Sequence, residues 1–236
     1  MKKGTLFLIP APLGNTSFNE ILPETVKQTI SNLTCFIVEN EKTARRYIKR
    51  ICPKKDQSVL TVYQLDKHHK SANLQEFIMP LLQGRDTGLL SEAGLPAVAD
   101  PGNLVVALAH KNNIPVKPLT GPSSLMLALM SSGLNGQKFS FEGYLPKEPT
   151  ALKRKIKQLE QLSAKNNCTK IFIETPYRNQ KLLQSLLKFL HPATLLCVAC
   201  DLTLPTEYIK TLPVKEWQKN IPDLHKRPAV FLFQAG

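Results

Sequence analysis

The chain has 236 residues, 42% of them hydrophobic, enough for one large or two modest packed domains of an ordinary globular protein. Its 31 Lys and Arg against 18 Asp and Glu leave a net charge of +13, which favours a polyanionic partner: nucleic acid or an anionic membrane surface. No apolar run approaches the roughly 20 residues that cross a bilayer, which weakens the membrane alternative, and five irregularly spaced cysteines suit a reducing cytoplasm rather than a disulfide framework.

The opening Lys2-Lys3 and Leu6-Phe7-Leu8-Ile9 imitate a signal peptide, but Pro10 and Pro12 cut the apolar stretch short, so a buried first strand explains it better. From there apolar β-type runs alternate with amphipathic stretches, the pattern of βα units around a mainly parallel sheet. Five strands are expected over 5–9, 35–39, 59–63, 87–90 and 115–119. Pro23 starts the first helix, with Val26, Ile30 and Leu33 on one face, and further helices are expected over 41–51, 72–82, 103–111 and 123–132. Gly133 and Gly136 stop the last of these, which sets a domain boundary after Leu134: an N-terminal α/β domain over 1–134 and a C-terminal one over 135–236. The second domain reads as a strand over 139–143, a basic helix near 152–164, a strand over 170–174 and a helix over 179–190. Strands over 195–199, 207–211 and 229–234 follow, too closely spaced for crossover helices and hence part of a mixed sheet.

Ligands of open α/β sheets sit beyond the carboxyl ends of the strands, and three loops there are unusual. Pro10-Ala11-Pro12-Leu13-Gly14-Asn15 follows the first strand, a long loop of small residues from Ser91 to Gly102 follows the fourth, and Thr120-Gly121-Pro122-Ser123-Ser124 follows the fifth. Glycine and proline punctuate many loops and Ser123 could simply cap a helix; three such loops on one edge describe a preformed pocket instead. Gly-x-Gly-x-x-Gly and Gly-Lys are both missing, which disfavours dinucleotides and nucleoside triphosphates. A loop with two carboxylates, and no lysine or arginine between Ser91 and Leu108, suits a cationic ligand without phosphates. S-adenosylmethionine, with its ammonium and sulfonium, fits that description.

At these loops the sequence resembles the tetrapyrrole methylase superfamily, the class III S-adenosylmethionine-dependent methyltransferases, and within it the small-subunit ribosomal RNA 2′-O-ribose (cytidine) methyltransferase branch. The resemblance runs through Leu8 to Asn15, Asp100-Pro101-Gly102, Gly121-Pro122-Ser123-Ser124 and Ser132-Gly133-Leu134, then Gly143-Tyr144-Leu145-Pro146-Lys147 and Glu174-Thr175-Pro176-Tyr177-Arg178. It implies two α/β domains with the cofactor in the cleft between them, a cytoplasmic enzyme, and usually a homodimer. Pro12, Glu92, Gly94, Leu95, Val98, Ser123 and Ser124 would contact the cofactor from the first domain, and Tyr144, Leu145, Ala199, Pro228 and Ala229 from the second. The implied substrate is ribosomal RNA or the small ribosomal subunit. Two alternatives remain: a tetrapyrrole-type small-molecule methyltransferase of the same fold, and a non-catalytic RNA-binding or assembly factor that retains it.

The departures from the branch fall mostly on its substrate side. Glu39-Asn40-Glu41-Lys42 stands where Glu-Asp-Thr-Arg is typical, Gln64-Leu65 replaces a His-Glu pair, and Cys200-Asp201-Leu202-Thr203 replaces an Arg-Glu-Leu-Thr type of stretch; in the long loop Glu92 and Leu95 stand for Asp and Thr. A ribose hydroxyl attacks well only once its proton is removed, and Glu39, Glu41 and Glu92 are the candidate bases. Glu39 is preferred because it leaves a strand end; its alternative role is to fix Lys42 or a loop amide. RNA contacts would come from Lys42, Arg45, Arg46, Lys49 and Arg50 after the second strand and from Lys153 and Arg154 in the basic helix. A helix-borne charge run is more often a solvated face, and only the position of the first stretch, beside a strand end, lifts it above that default. His68-His69 lacks a second ligand cluster, so no metal site is expected, and Cys197 and Cys200, in an apolar strand, read as structural, like Trp217, Phe231 and Phe233.

Overall fold

The computed structural model describes residues 2–65, 74–217, 219 and 221–236. The chain divides into two compact units that meet in sequence at Ser123 and Ser124.

The first unit contains β1 (Leu6–Ile9), α1 (Phe18–Ile21), α2 (Glu24–Asn32), β2 (Cys35–Val38), α3 (Glu41–Ile51), β3 (Thr61–Gln64), α4 (Leu74–Leu82), β4 (Thr87–Leu90), α5 (Gly102–Lys111) and β5 (Val116–Pro118). Its sheet has the order β3-β2-β4-β1-β5, and every pair is parallel. Strand side chains alternate between faces, so one strand feeds two cores. Phe36 and Val38 pack with Val26 and Ile30 of α2 and Ile48 of α3, while Ile37 between them packs with Ile78 of α4 and Val105 of α5. In α3 Ala44, Ile48 and Ile51 form the buried stripe, leaving the cations between them on the outer faces.

The second unit contains α6 (Ser124–Ser132), β6 (Phe139–Tyr144), α7 (Pro149–Asn166), β7 (Thr169–Ile173), α8 (Asn179–Phe189), β8 (Leu195–Cys200), β9 (Tyr208–Pro213), α9 (Val214–Trp217) and β10 (Ala229–Gln234). The sheet order is β6-β7-β10-β8-β9; β6 and β7 run parallel and the other pairs antiparallel, the expected mixed sheet. Trp217, Phe172, Phe231 and Phe233 fill its core, and the Trp217 indole donates to the Leu196 carbonyl at 3.0 Å.

The division falls eleven residues before the expected boundary after Leu134, because α6 packs against β8, β9 and β10 of the second sheet. Thr211 of β9 donates to the Ser132 carbonyl at the end of α6 at 2.7 Å. The glycines near 133–136 therefore end a helix rather than a domain. Neither four-residue helix, α1 nor α9, was expected, since four residues are too few to carry a 3.6-residue period.

Candidate active site

The parallel register brings the strand ends of the first unit level: Ile9 pairs with Leu90, Val38 with Leu90 and Leu8 with Pro118, so the loops leaving β1, β2, β4 and β5 share one edge. Three of them are locked together. Ala11 and Gly94 exchange main-chain hydrogen bonds at 2.8 and 3.0 Å, an isolated antiparallel bridge between the first and fourth loops. Gly121 lies so close to Pro10 that an added Cβ would stand 2.2 Å from the proline Cβ, and a Cβ on Gly94 would lie 3.6 Å from the Pro122 carbonyl oxygen. Gly94 itself has φ +74°, and Ala97 and Ala99 have φ 66° and 61°, left-handed conformations that cost a non-glycine residue about 1–2 kcal/mol. Asp100 holds this loop by accepting from the Ala97 and Gly102 amides, each at 2.8 Å. One of the two loop carboxylates is thus spent on shape, while Val98 stays 45% exposed, an apolar side chain displayed on a stiff loop.

Beside these loops lies a cavity of about 250 Å³ whose lining includes Pro12, Leu13, Phe18, Thr43, Arg46, Tyr47, Arg50 and Glu92. The substitution of Asn for Asp at position 40 preserves the start of α3, since the Asn40 side chain accepts from the Thr43 amide at 3.1 Å. The Thr43 hydroxyl is thereby placed 2.5 Å from Glu92 Oε1. Tyr47 donates from its hydroxyl to the Pro10 carbonyl at 2.8 Å, and burial pushes its pKa up, so it stays protonated. Arg50 donates to the Thr16 carbonyl at 3.0 Å and lies over the Phe18 ring, 4.6 Å from its centroid.

The three candidate carboxylates separate here. Glu92 lines the cavity. Glu39 accepts the Glu92 amide at 3.3 Å, the loop-fixing alternative that the sequence had left open. Glu41 pairs with Arg45 one turn along α3 at 2.7 Å, outside the cavity lining. Arg45 also donates to the Gln57 and Leu60 carbonyls at 2.8 and 3.5 Å, so its guanidinium is used to anchor the turn before β3. Lys49 donates to the Pro53 carbonyl at 2.7 Å. Lys42 and Arg46 are exposed; of the five expected RNA contacts on α3, Arg46 and Arg50 line the cavity, neither forms an ion pair among the described residues, and Arg50 is the one already engaged, by the Thr16 carbonyl and the Phe18 ring. Sequence reasoning missed Thr43, Tyr47 and Phe18, which carry no motif of their own.

The sequence pattern of the tetrapyrrole (corrin/porphyrin) methylases matches residues 5–218. The chain belongs to that family. Among its relatives, the ribosomal RNA small subunit methyltransferase I of Vibrio cholerae serotype O1 is 30% identical over 212 residues, covering 89% of this chain and 69% of that one. The protein of the same name from Synechocystis sp. is 31% identical over 200 residues, covering 85% and 67%. Two solved structures share the fold: the methyltransferase CobJ, with a TM-score of 0.64 at 15% identity over 99% of this chain and 95% of that one, and the uroporphyrin-III-C-methyltransferase from Thermus thermophilus, at 0.56 and 16% over 98% and 92%.

In the second unit of this methylase, the expected cofactor positions also gather at one sheet end. Ala199 pairs with Val230, Cys200 with Ala229 and Tyr144 with Ile173, and the Asp201 amide donates to the Pro228 carbonyl at 3.0 Å. Tyr144 is 60% exposed, whereas Leu145, Ala199 and Ala229 are buried, so only their main chains are free to offer contacts. Asp201, at φ 51°, accepts from Arg227 Nε and the Thr206 hydroxyl, each at 2.8 Å, which fixes the turn beside Pro228. Burial, and then the Asp201 charge, push the Cys200 thiol up to about 11, in keeping with a structural cysteine. Lys153 and Arg154 are exposed on α7, with Lys153 Nζ 5.9 Å from the Phe189 ring centroid. Among the described residues no group of three or more His, Cys, Asp or Glu is placed to hold a metal, and no helix is long and apolar enough to cross a membrane; His68-His69 lies outside them.

Proposed function

We propose that this methylase uses S-adenosylmethionine to methylate a ribose 2′-hydroxyl of small-subunit ribosomal RNA. The observation that carries the reading is the convergence of three stiff loops at Pro10, Gly94 and Gly121, beside a cavity that holds a carboxylate, a hydroxyl and two arginines. The fit to the cofactor rests on the cradle itself. Gly94 permits close approach to the main chain, Val98 offers an exposed apolar surface, and no lysine or arginine between Ser91 and Leu108 invites a phosphate. In this reading Pro12, Gly94, Leu95, Val98 and Ser123 hold the cofactor in the first unit, and Ser124, Tyr144, Leu145, Ala199, Pro228 and Ala229 are the second unit's contributions. The cofactor supplies a methyl group already activated by its sulfonium leaving group. The chain's own task is alignment, exclusion of water and removal of one proton.

Glu92 replaces Glu39 as the favoured proton acceptor, because it lines the cavity while Glu39 holds its amide. Arg46 and Arg50 stand where a phosphodiester flanking the reacting ribose would be neutralised. The names of the relatives favour ribosomal RNA over a small molecule, as does the net charge of +13. The reading includes a cytoplasmic homodimer, supported by cysteines that are all free and buried and by the family's usual assembly, and checked by sedimentation of the purified chain.

Calorimetric titration with S-adenosylmethionine, followed by mass mapping of ribosomal RNA from cells with and without the gene, tests the proposal. Heat on titration and loss of one 2′-O-methyl group are expected. Heat with an unchanged map would favour the small-molecule alternative, and no heat would leave an RNA-binding factor without transferase activity.

A further inference from the structure

We infer that the second unit carries a phosphate-binding pocket for RNA between α7 and α8, additional to any contact at the reacting nucleotide. A cavity of about 260 Å³ opens there. Its lining includes Lys147, Arg178, Lys181 and Lys188 and a single carboxylate, Glu174. That carboxylate is already committed. Its side chain is 3% exposed, Oε1 accepts the Thr175 amide at 2.8 Å, and Oε2 lies 3.1 Å from Arg178 Nη1. One of four cations is therefore balanced, and Lys147, Lys181 and Lys188 form no ion pair among the described residues. Arg178 Nη1 is buried and, despite that close carboxylate, makes no aligned hydrogen bond among the described residues.

The cluster is built into the helix. Arg178, Lys181, Ser185 and Lys188 recur at three- and four-residue intervals, so they share one stripe at the start and along the outside of α8. Leu152 and Leu182 make the floor apolar, and the ring of Phe189 has the Lys188 and Lys153 ammonium groups 5.7 and 5.9 Å from its centroid. Like charges held around one concavity repel until an anion enters. A concave pocket of this size admits a phosphodiester with its sugar and does not match a flat bilayer. Lysines without a fixed fork of donors read charge rather than sequence, as backbone contacts to RNA do. Pro146 and Lys147, both in the lining, follow directly on Tyr144-Leu145, so the pocket begins one residue beyond an expected cofactor contact.

The inference rests on RNA being the substrate, and its test separates the two claims. Binding of transcribed small-subunit ribosomal RNA is measured against salt for the wild-type chain, for Lys181→Glu with Lys188→Glu, and for Lys181→Arg with Lys188→Arg; unchanged heat with S-adenosylmethionine certifies folding. The double reversal is expected to weaken RNA binding at least tenfold and to flatten the log–log salt slope by about 1.5, two phosphate contacts' worth, while the arginine pair retains both. A wild-type chain that binds no RNA overturns the RNA reading and the pocket with it. Wild-type binding that the reversal leaves unchanged in affinity and slope overturns the pocket alone. Binding to phosphatidylserine vesicles that the reversal abolishes, with RNA binding intact, assigns the pocket to a membrane and also overturns the inference.

Discussion

The Thr43 hydroxyl donates to the Glu92 carboxylate across 2.5 Å, tying the first turn of α3 to the loop after β4. Glu92 is fixed from two sides, since its amide is held by Glu39 at 3.3 Å. A carboxylate held this way at a cavity wall is oriented before substrate arrives, which is what a general base requires.

Glu92→Gln is accordingly expected to lower single-turnover methyl transfer by about 10²–10⁴-fold, with cofactor affinity changed far less. Thr43→Val should cost about tenfold by freeing the carboxylate. Glu39→Gln should be the mildest, because its amide oxygen can still accept the Glu92 amide. A loss at Glu39→Gln as large as at Glu92→Gln would return the base assignment to Glu39.

Gly121→Ala tests whether the loops act as one body. Its Cβ would stand 2.2 and 2.4 Å from the Pro10 Cβ and Cγ, and a proline ring cannot swing aside. The loops after β1 and β5 must separate, at a cost of about 1–3 kcal/mol. Denaturant unfolding should show that loss, and calorimetry a weaker affinity for the cofactor; cofactor affinity unchanged would mean that this junction does not shape the site.

The neighbours Arg45 and Arg46 should respond oppositely. Arg45 is bound to Glu41 and to two carbonyls before β3, so Arg45→Ala is expected to cost about 1–3 kcal/mol of stability with little effect on RNA affinity. Arg46 lines the cavity without an ion pair, so Arg46→Glu should weaken RNA binding and leave the unfolding midpoint in place. Equal effects on RNA binding would mean that α3 acts as an undifferentiated basic face.

These two arginines also show where the sequence stops being informative. The period of α3 separates the buried Ala44, Ile48 and Ile51 from the cations, and periodicity says nothing about which cation meets a carbonyl from 57–60. The loops at Pro10, Gly94 and Gly121 were legible because glycine and proline act through local backbone geometry. Glu39 and Glu92, 53 residues apart, meet only through strand order, and no local spacing reveals that. The boundary at 123–124 was hidden for the same reason: α6 has the composition of any helix following a strand, and only its packing on β8, β9 and β10 assigns it.

Glu160 of α7 links the stability of the second unit to pH. Burial pushes its pKa up, but the His191 amide at 2.6 Å, the Thr194 hydroxyl at 2.7 Å and Lys157 at 3.1 Å outweigh that, and its pKa lies below the ordinary 4.5. A carboxyl whose pKa is lower in the folded than in the unfolded chain binds protons more readily when unfolded. Its contribution to stability is therefore complete above the ordinary value and lost as pH falls from about 4.5 through the depressed folded value. Glu160→Gln removes that titration while keeping an oxygen for the Thr194 hydroxyl or the His191 amide. The variant should be less stable than wild type at pH 7, by about 1–3 kcal/mol for weakened charge-assisted bonds, and the difference should shrink in urea unfolding series taken from pH 5 downward. A gap that stayed constant across those series would show that the carboxylate contributes through packing and not through its charge.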